Sequence, residues 1–294
     1  MRCSTWRARS TCSARDEARR LGADCAVAIG GGSTTGLGKA IALDSGLPIV
    51  AIPTTYAGSE ATAIYGLTEG GVKKTGRDAR VLPRTVIYDP ELTLTLPYAM
   101  TVTSAFNAIA HAAEGLYAPD ANPVIALMAE EGIRASAAAL SPLRADPRDL
   151  GARSDALYGA WLCGTVLGAI TMGLHHKLCH TLGGSFNLPH AQTRTVILPH
   201  ALAYNAAAAP QALACIGKAL GAGSGGGDAA FALQQLARRH GAPTSLAAIG
   251  MPADGLDRAA ELAVGAPYPN PRPLDRTALR ALLQRAYDGA PPQA

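Results

Sequence analysis

Three consecutive glycines followed by a serine, Gly30 to Ser33, constrain the fold of this chain more than any other feature. The short apolar run 25–29 precedes them and predicts a buried strand, while helical spacing follows over residues 34–44. Backbone amides at such a turn, together with the amino terminus of a helix, favour binding of an anionic phosphate group. Thr35 and Ser33 stand where the Rossmann and Walker patterns respectively require glycine, so neither pattern is matched. On the glycines alone, a structural turn and a phosphate site stay equally open.

The chain divides into two parts with different apolar patterns. Residues 1–97 contain further short apolar runs, over 48–53 and 81–88, that predict strands, although residues 1–15 show neither helical nor strand periodicity. Residues 98–294 consist mainly of alanine- and leucine-rich stretches with helical spacing, bounded by Gly, Pro, Asp or Ser. We therefore expect the α/β class, with an α/β domain over 1–97 followed by an all-helical domain over 98–294.

Composition and charge exclude several classes of protein. Hydrophobic residues make up 48% and charged residues 16% of the chain, which describes a core-rich globular protein and argues against disorder. A net charge of +4 is too small to indicate nucleic-acid binding. No apolar run reaches the ~18 residues of a membrane span. The six cysteines show no C-x-x-C spacing. The sequence therefore predicts a cytoplasmic protein with reduced thiols that binds neither nucleic acid nor membrane.

Histidines cluster in the helical part of the chain. Four of the seven fall within sixteen residues: His175, His176, His180 and His190. His176 and His180 are four residues apart and share one face of a predicted helix, as do Asn107 and His111 further upstream. Such convergence favours a metal site or a proton-handling cleft over scattered core and surface histidines. Because Asn107 is neutral, its pair offers a cation no carboxylate, which predicts a weak metal site or none.

Taken in order, these motifs resemble the iron-containing alcohol dehydrogenases. The resemblance rests on GGGS at 30–33, PTT at 53–55 with GSE at 58–60, the Asn107/His111 helix, and the histidines 176, 180 and 190. It extends from about residue 16 to residue 287. Within that family the chain is more similar to the maleylacetate reductases, which share the forms GGGSTTGLGKAIAL, PTTYAGSEAT, KKTGRDARVLPRTVIYDPELT and NAIAHAAEGLYA.

The resemblance implies that no metal is required. Metal-dependent members bind a cation through an aspartate and three histidines, at the positions of Asn107, His111, His176 and His190. Asn107 replaces the aspartate, as is typical of maleylacetate reductases, and Gly36 is a second departure that the two share. These four positions are therefore expected to be vestigial.

The resemblance also implies a reaction, namely reduction of maleylacetate to 3-oxoadipate by NADH or NADPH in the breakdown of aromatic and chloroaromatic compounds. We expect His180 to donate the proton, with other catalytic or substrate-contacting groups nearby: His111, His176, His190 and Tyr56. The residues expected to hold the cofactor are Gly31, Gly32, Ser33, Thr54 and Thr55. The substrate is a dicarboxylate, for which Lys73, Lys74, Arg77, Arg80, Arg84 and Lys177 are candidate partners. A homodimer is the family expectation.

Two alternatives stay open. One is a metal-dependent alcohol dehydrogenase, and the other is an inactive homologue. The second arises because family members carry further strands of the nucleotide-binding domain before the position of Asp16. Residues 1–97 would then form an incomplete dinucleotide-binding α/β domain with an exposed apolar sheet edge.

Overall fold

The computed structural model describes residues 8–69, 72–222 and 226–293, and every strand among them lies before residue 87. The strands are β1 (Ala26–Gly30), β2 (Ile49–Pro53), β3 (Ile64–Glu69), β4 (Val72–Arg77) and β5 (Thr85–Val86). A parallel sheet has the order β1-β2-β5, with Ala26 opposite Ile49 and Val50 opposite Thr85. Two helices accompany it, α1 (Ala8–Arg20) and α2 (Gly32–Ser45), and α2 forms the crossover that two parallel neighbours require.

Strand β1 is less buried than its apolar sequence predicts. Val27 and Ile29 are 57% and 56% exposed, whereas Ala28 between them is buried. Alternate residues of a strand point to opposite faces, and only the face with Ala28 packs against α2, where Gly38 lies beside it. The prediction of a strand is therefore confirmed, but the prediction that both of its faces are buried is wrong.

The segment between β2 and β5 differs from the sequence-based prediction. β3 and β4 pair as an antiparallel hairpin, with Ile64 opposite Arg77, over residues for which the apolar pattern predicts no strand. The strand predicted over 81–88 shrinks to Thr85–Val86, preceded by a short 3-10 helix at Ala79–Val81. Pro83 explains this shortening, because proline has no N–H for a sheet hydrogen bond.

Helix α1 begins within the segment 1–15, where the sequence shows neither helical nor strand periodicity. It runs from Ala8, so the absence of structure predicted for residues 1–15 is wrong from residue 8 onward, while residues 1–7 lie outside the described part. Contacts with α2 hold it in place. The Arg15 Nε–H donates to the carbonyl oxygen of Ala40 over 3.0 Å, and Arg19 pairs with Asp44. Tertiary contacts of this kind leave no periodic signal in the sequence.

The rest of the described chain is helical, which with the sheet confirms the predicted α/β class. Its helices are α3 (Tyr98–Gly115), α4 (Pro123–Ala138), α5 (Leu140–Ala145), α6 (Leu150–Ala169), α7 (Leu174–Phe186), α8 (His190–Asn205), α9 (Pro210–Ala219), α10 (Gly226–Arg239), α11 (Leu256–Val264) and α12 (Arg276–Asp288). The division into two domains at residue 97 stays a prediction.

Helix α8 lies between two apolar cores. Leu198 and Leu202 belong to a core formed mainly with α3, α4, α6, α9 and α10. Ile197 and Ala201 belong to a second core formed with α7, α11 and α12. A helix with apolar residues on all sides is buried in a protein interior, and α8 is buried from Thr193 to its end. Its amino-terminal turn consequently meets α3 and α7, where the histidines lie.

Within the described ranges, no single helix is long and apolar enough to cross a membrane. Helices α6 and α7 reach the required length and hydropathy only as a pair, bent by 94°.

Candidate active site

The glycine turn and the segment after β2 meet at the carboxyl edge of the sheet. Gly30 has a φ of +149°, which favours glycine, and its carbonyl oxygen accepts a hydrogen bond from the amide of Thr54 over 3.0 Å. A side chain on Gly31 would lie 3.1 Å from Thr55 Cγ2. Among the described residues, no side chain caps the amino terminus of α2, so its first amides face this edge. The structure thus brings the five predicted cofactor-binding residues together.

The loop after Thr55 connects this edge to helix α3. Gly58, with a φ of +78°, lies so close to α6 that a Cβ on Gly164 would come within 2.7 Å of the Gly58 carbonyl oxygen. The carbonyl oxygen of Ala57 accepts a hydrogen bond of 3.1 Å from Asn107 Nδ2. A Cβ on Gly58 would be 3.6 Å from His111 Nδ1. The two glycines therefore allow one loop to lie beside both the glycine turn and the imidazoles.

Four imidazoles form a continuous row. His111 and His176 stack with ring centroids 5.2 Å apart, His176 meets His180 edge-on at 6.5 Å, and His180 stacks on His190 at 6.2 Å. Helices α3, α7 and α8 each contribute to the row. His111 and His176 are buried, His190 is half-buried and His180 is exposed, so one end of the row is open to solvent. The structure brings the four predicted histidines together.

Glu114 orients His176, the second imidazole of the row. Its carboxylate accepts hydrogen bonds from the amides of Gly173 and His175, over 3.1 and 2.7 Å, and from His176 Nδ1 over 2.5 Å. Burial raises the pKa of Glu114 and lowers the pKa of His176 well below its ordinary value. With its proton on Nδ1, His176 keeps a lone pair on Nε2, which is buried and finds no partner in the described part of the chain.

Arg194 is a functional candidate that the sequence analysis did not identify. It lies one helical turn after His190 on α8 and is only 6% exposed. Its Nη1 donates to Asn107 Oδ1 over 2.7 Å and to His111 Nε2 over 2.6 Å. Burial and the Arg194 charge together lower the pKa of His111 well below its ordinary value, so this imidazole is neutral. The i, i+4 spacing of Arg194 from His190 is the signal that could have pointed to it.

Two of the four positions that the resemblance assigns to a metal, Asn107 and His111, are already engaged by Arg194. A metal would take the lone pairs of Asn107 Oδ1 and His111 Nε2, but both atoms accept hydrogen bonds from Arg194. A second grouping, of Glu114, His175 and His176, has ligand atoms within 4.8 Å of one another. There the carboxylate already accepts three N–H groups, which leaves it little capacity for a cation.

Tyr56 lies apart from the imidazoles. Its side chain is 1% exposed and packs in a cluster with Leu96 and Leu157. The hydroxyl accepts a hydrogen bond of 3.0 Å from Arg153 Nη1. These contacts favour a structural role for Tyr56, and its contact with the substrate stays a prediction.

The candidate carboxylate partners are dispersed. Arg77 donates to the carbonyl oxygen of Gly168, Arg80 pairs with Asp78, and Lys177 Nζ lies 5.8 Å above the ring of Tyr268. The side chains of Lys73 and Lys74 lie outside the described part, and Arg84 is exposed. A cavity of about 240 Å³ is lined by Glu114 together with Tyr117, Thr171, Gly173 and Asn270. Among the described residues that line it, no histidine is present.

Comparisons with known proteins agree with this layout. The family model described as "Iron-containing alcohol dehydrogenase" matches residues 7–90, and "Fe-containing alcohol dehydrogenase family, C-terminal" matches residues 101–287. A maleylacetate reductase of Burkholderia cepacia is 73% identical over 279 residues, which are 95% of this chain and 78% of that protein. The crystal structure of maleylacetate reductase from Agrobacterium tumefaciens is 57% identical, with a TM-score of 0.94 over 97% of this chain and 80% of that one. An iron-containing alcohol dehydrogenase from Corynebacterium glutamicum is 46% identical, with a TM-score of 0.92 over 96% and 79%. The chain therefore belongs to the iron-containing alcohol dehydrogenase family.

Proposed function

We propose that this protein is an oxidoreductase that reduces the carbon–carbon double bond of maleylacetate to give 3-oxoadipate, with NADH or NADPH as the reductant. Identity of 73% to a maleylacetate reductase along 95% of the chain carries this proposal. The contacts of the glycine turn with the segment after β2, and of that segment with helix α3, support it further. A pathway that degrades aromatic compounds would supply the substrate.

The glycine turn is the proposed cofactor site. A bound nicotinamide cofactor would supply the hydride. Gly31, Gly32 and Ser33 open helix α2, whose uncapped amides and positive dipole end suit the pyrophosphate. Thr54 and Thr55 lie against these glycines and would hold the adjacent part of the dinucleotide. A Cβ at Gly30 would come within 2.4 Å of Thr34 Oγ1, so the tight turn tolerates no larger residue there.

The row of imidazoles is proposed to handle the proton. Hydride addition to the alkene carbon remote from the ketone moves the π electrons onto the ketone oxygen, and the resulting enolate takes a proton on the carbon beside the ketone. His180 is the proposed donor, because it is the exposed member of the row and can meet both solvent and substrate. His190 stacks on it, and His176 and His111 form the buried wall behind.

Oxidation of NADH, followed at its absorbance band with freshly generated maleylacetate, tests the proposal. We expect turnover by the wild type, and losses of roughly 100-fold or more in His180→Ala and His180→Gln, the size typical of a lost general acid. His180 is exposed, so both variants should melt at the wild-type temperature. Absence of turnover in the wild type contradicts the proposed reaction, whereas full activity in both variants contradicts only the role of His180.

The metal-dependent alcohol dehydrogenase is the second candidate, since the family name implies iron. The engagement of Asn107 and His111 by Arg194 disfavours it. On the family resemblance alone, we also propose a homodimer that acts in the cytoplasm.

A further inference from the structure

The amino-terminal turns of α8 place a positive charge beside the row of imidazoles, in the region bounded by Asn107, His111 and His176, which we call the imidazole pocket. Arg194 is buried, and its Nη1 lies within hydrogen-bonding distance of two acceptors, Asn107 Oδ1 at 2.7 Å and His111 Nε2 at 2.6 Å. The two hydrogens of Nη1 match these two acceptors, and guanidinium groups keep their charge in proteins. The pocket thus holds a cation that is covalently part of the chain.

This cation and a metal ion would compete for the same place. A divalent ion needs the lone pairs that Asn107 and His111 present to Arg194, and it would have to lie within a few ångströms of the guanidinium. Glu114 is the buried carboxylate beside the row, but it already accepts three N–H groups and contacts His176, not Arg194. It therefore does not neutralise an additional charge beside Arg194.

Arg194 and the imidazoles beside it have buried polar atoms without partners, and two of these atoms are donors of the kind that an oxygen of a ligand accepts from. In the described part of the chain, Arg194 Nε, His111 Nδ1 and His176 Nε2 are all buried and make no hydrogen bond. Since His111 Nε2 accepts from Arg194, His111 carries its proton on Nδ1 and is a donor there. Two donors and one acceptor thus remain unsatisfied among residues that lie against one another, an arrangement that requires an explanation.

We propose that the Arg194 guanidinium takes the place of a catalytic metal ion, both by excluding a divalent cation from the pocket and by stabilising negative charge on the substrate's oxygen. The second part rests on the proposed function, in which the ketone oxygen becomes an enolate. A preorganised buried cation stabilises such an oxygen more in the transition state than in the ground state. The first part concerns metal uptake and is independent of any reaction.

Metal uptake separates the two parts experimentally. Four proteins are incubated with Zn²⁺, desalted and analysed for metal by mass spectrometry: the wild type, Asn107→Asp, the double variant Asn107→Asp/Arg194→Gln, and that double variant with His111→Ala added. We expect no pocket-bound zinc in the first two, about one zinc per chain in the double variant, and its loss in the triple variant. The single variant is the matched control, because it has the carboxylate but keeps Arg194.

Three outcomes would overturn metal exclusion. The first is stoichiometric zinc in the wild type that His111→Ala removes. The second is stoichiometric zinc in Asn107→Asp, which keeps Arg194. The third is a folded double variant, shown by its circular dichroism and melting curve, that takes up no zinc.

Kinetics test the second part. We expect Arg194→Gln and Arg194→Lys to lower kcat by roughly 100-fold or more, the size seen when an oxyanion donor is lost, while the Kd for NADH stays within about twofold. A structural role alone would weaken cofactor binding and thermal stability together. Wild-type turnover with unchanged kcat in Arg194→Gln refutes the role of Arg194 and leaves the proposed reaction intact. A wild type without turnover refutes the reaction, and the zinc measurements still decide metal exclusion.

Discussion

The close approach of Gly58 and Gly164 gives a quantitative prediction for Gly164→Ala. The added Cβ would lie 2.7 Å from the Gly58 carbonyl oxygen and 2.9 Å from Gly58 Cα. Both are backbone atoms that cannot rotate away, so we take the upper end of the range for overpacking, about 3 kcal/mol. Alanine in a helix regains about 1 kcal/mol over glycine. The net expectation is a loss of about 2 kcal/mol in the free energy of unfolding.

Gly184→Ala is the matched control. Gly184 is also helical and exposed, and nothing in the described part of the chain lies within 4 Å of its added Cβ. This variant should gain roughly 0.5–1 kcal/mol, from helix propensity alone. Urea unfolding and thermal melting measure both, and a loss of 2 kcal/mol lowers the melting temperature by roughly 4 °C in a chain of this size.

Gly164→Ala should also lower activity. Relief of the contact moves the loop that holds Asn107 through Ala57 and borders His111. A shift of about half an ångström would reduce kcat/KM by roughly tenfold, since misplacement by 1 Å can cost about 100-fold. If Gly164→Ala proved as stable and active as Gly184→Ala, the packing argument would be refuted.

Two further predictions concern buried carboxyl groups. In Glu114→Gln, the side-chain amide would direct at least one N–H at an N–H group that now donates to the carboxylate. We therefore expect a loss of about 1–3 kcal/mol in the free energy of unfolding. Because His176 loses its orienting partner, kcat/KM should fall by roughly 10- to 100-fold. Glu130→Gln, which weakens a partly exposed pair with Lys218 and a 3.4 Å hydrogen bond from Cys215 Sγ, is the control and should change stability by less than about 1 kcal/mol. Burial raises the pKa of Glu60 to about 7 in the folded protein, from an ordinary value of 4.5. Between these pKa values the folded state binds more protons than the unfolded state, so wild-type stability should fall as the pH rises. Relative to Glu60→Gln, the fall is at most about 1.4 kcal/mol per pH unit. If urea unfolding gave the two proteins the same pH dependence of stability from pH 5 to 7, this prediction would be contradicted.

The sequence predicted the positions of the histidines because their spacing is local. A separation of four residues puts His176 beside His180 on one helix face in any fold. The glycine turn could also be predicted from the sequence, because the strand, the three glycines and the helix that form it are consecutive in the chain. Both features depend on residues that are close together in the chain.

Other parts of the site depend on contacts between distant residues. Arg194 bonds to Asn107 across 87 positions and to His111 across 83, and no local pattern encodes those contacts. Tyr56 comes directly after the PTT motif at 53–55, yet its hydroxyl accepts a hydrogen bond from Arg153, 97 positions later in the chain. The hairpin of β3 and β4 was missed for a related reason, because strand β4 is polar and cross-strand pairing stabilises it.

Helix α8 couples the stability of the two apolar cores. Its residues contribute to both apolar cores, and its first turns carry His190 and Arg194. Partial unfolding of either core would expose one side of α8 and withdraw both groups from the pocket. With increasing denaturant, the loss of activity should therefore coincide with the loss of the helical circular dichroism signal in a single cooperative transition. No partly unfolded state should retain activity.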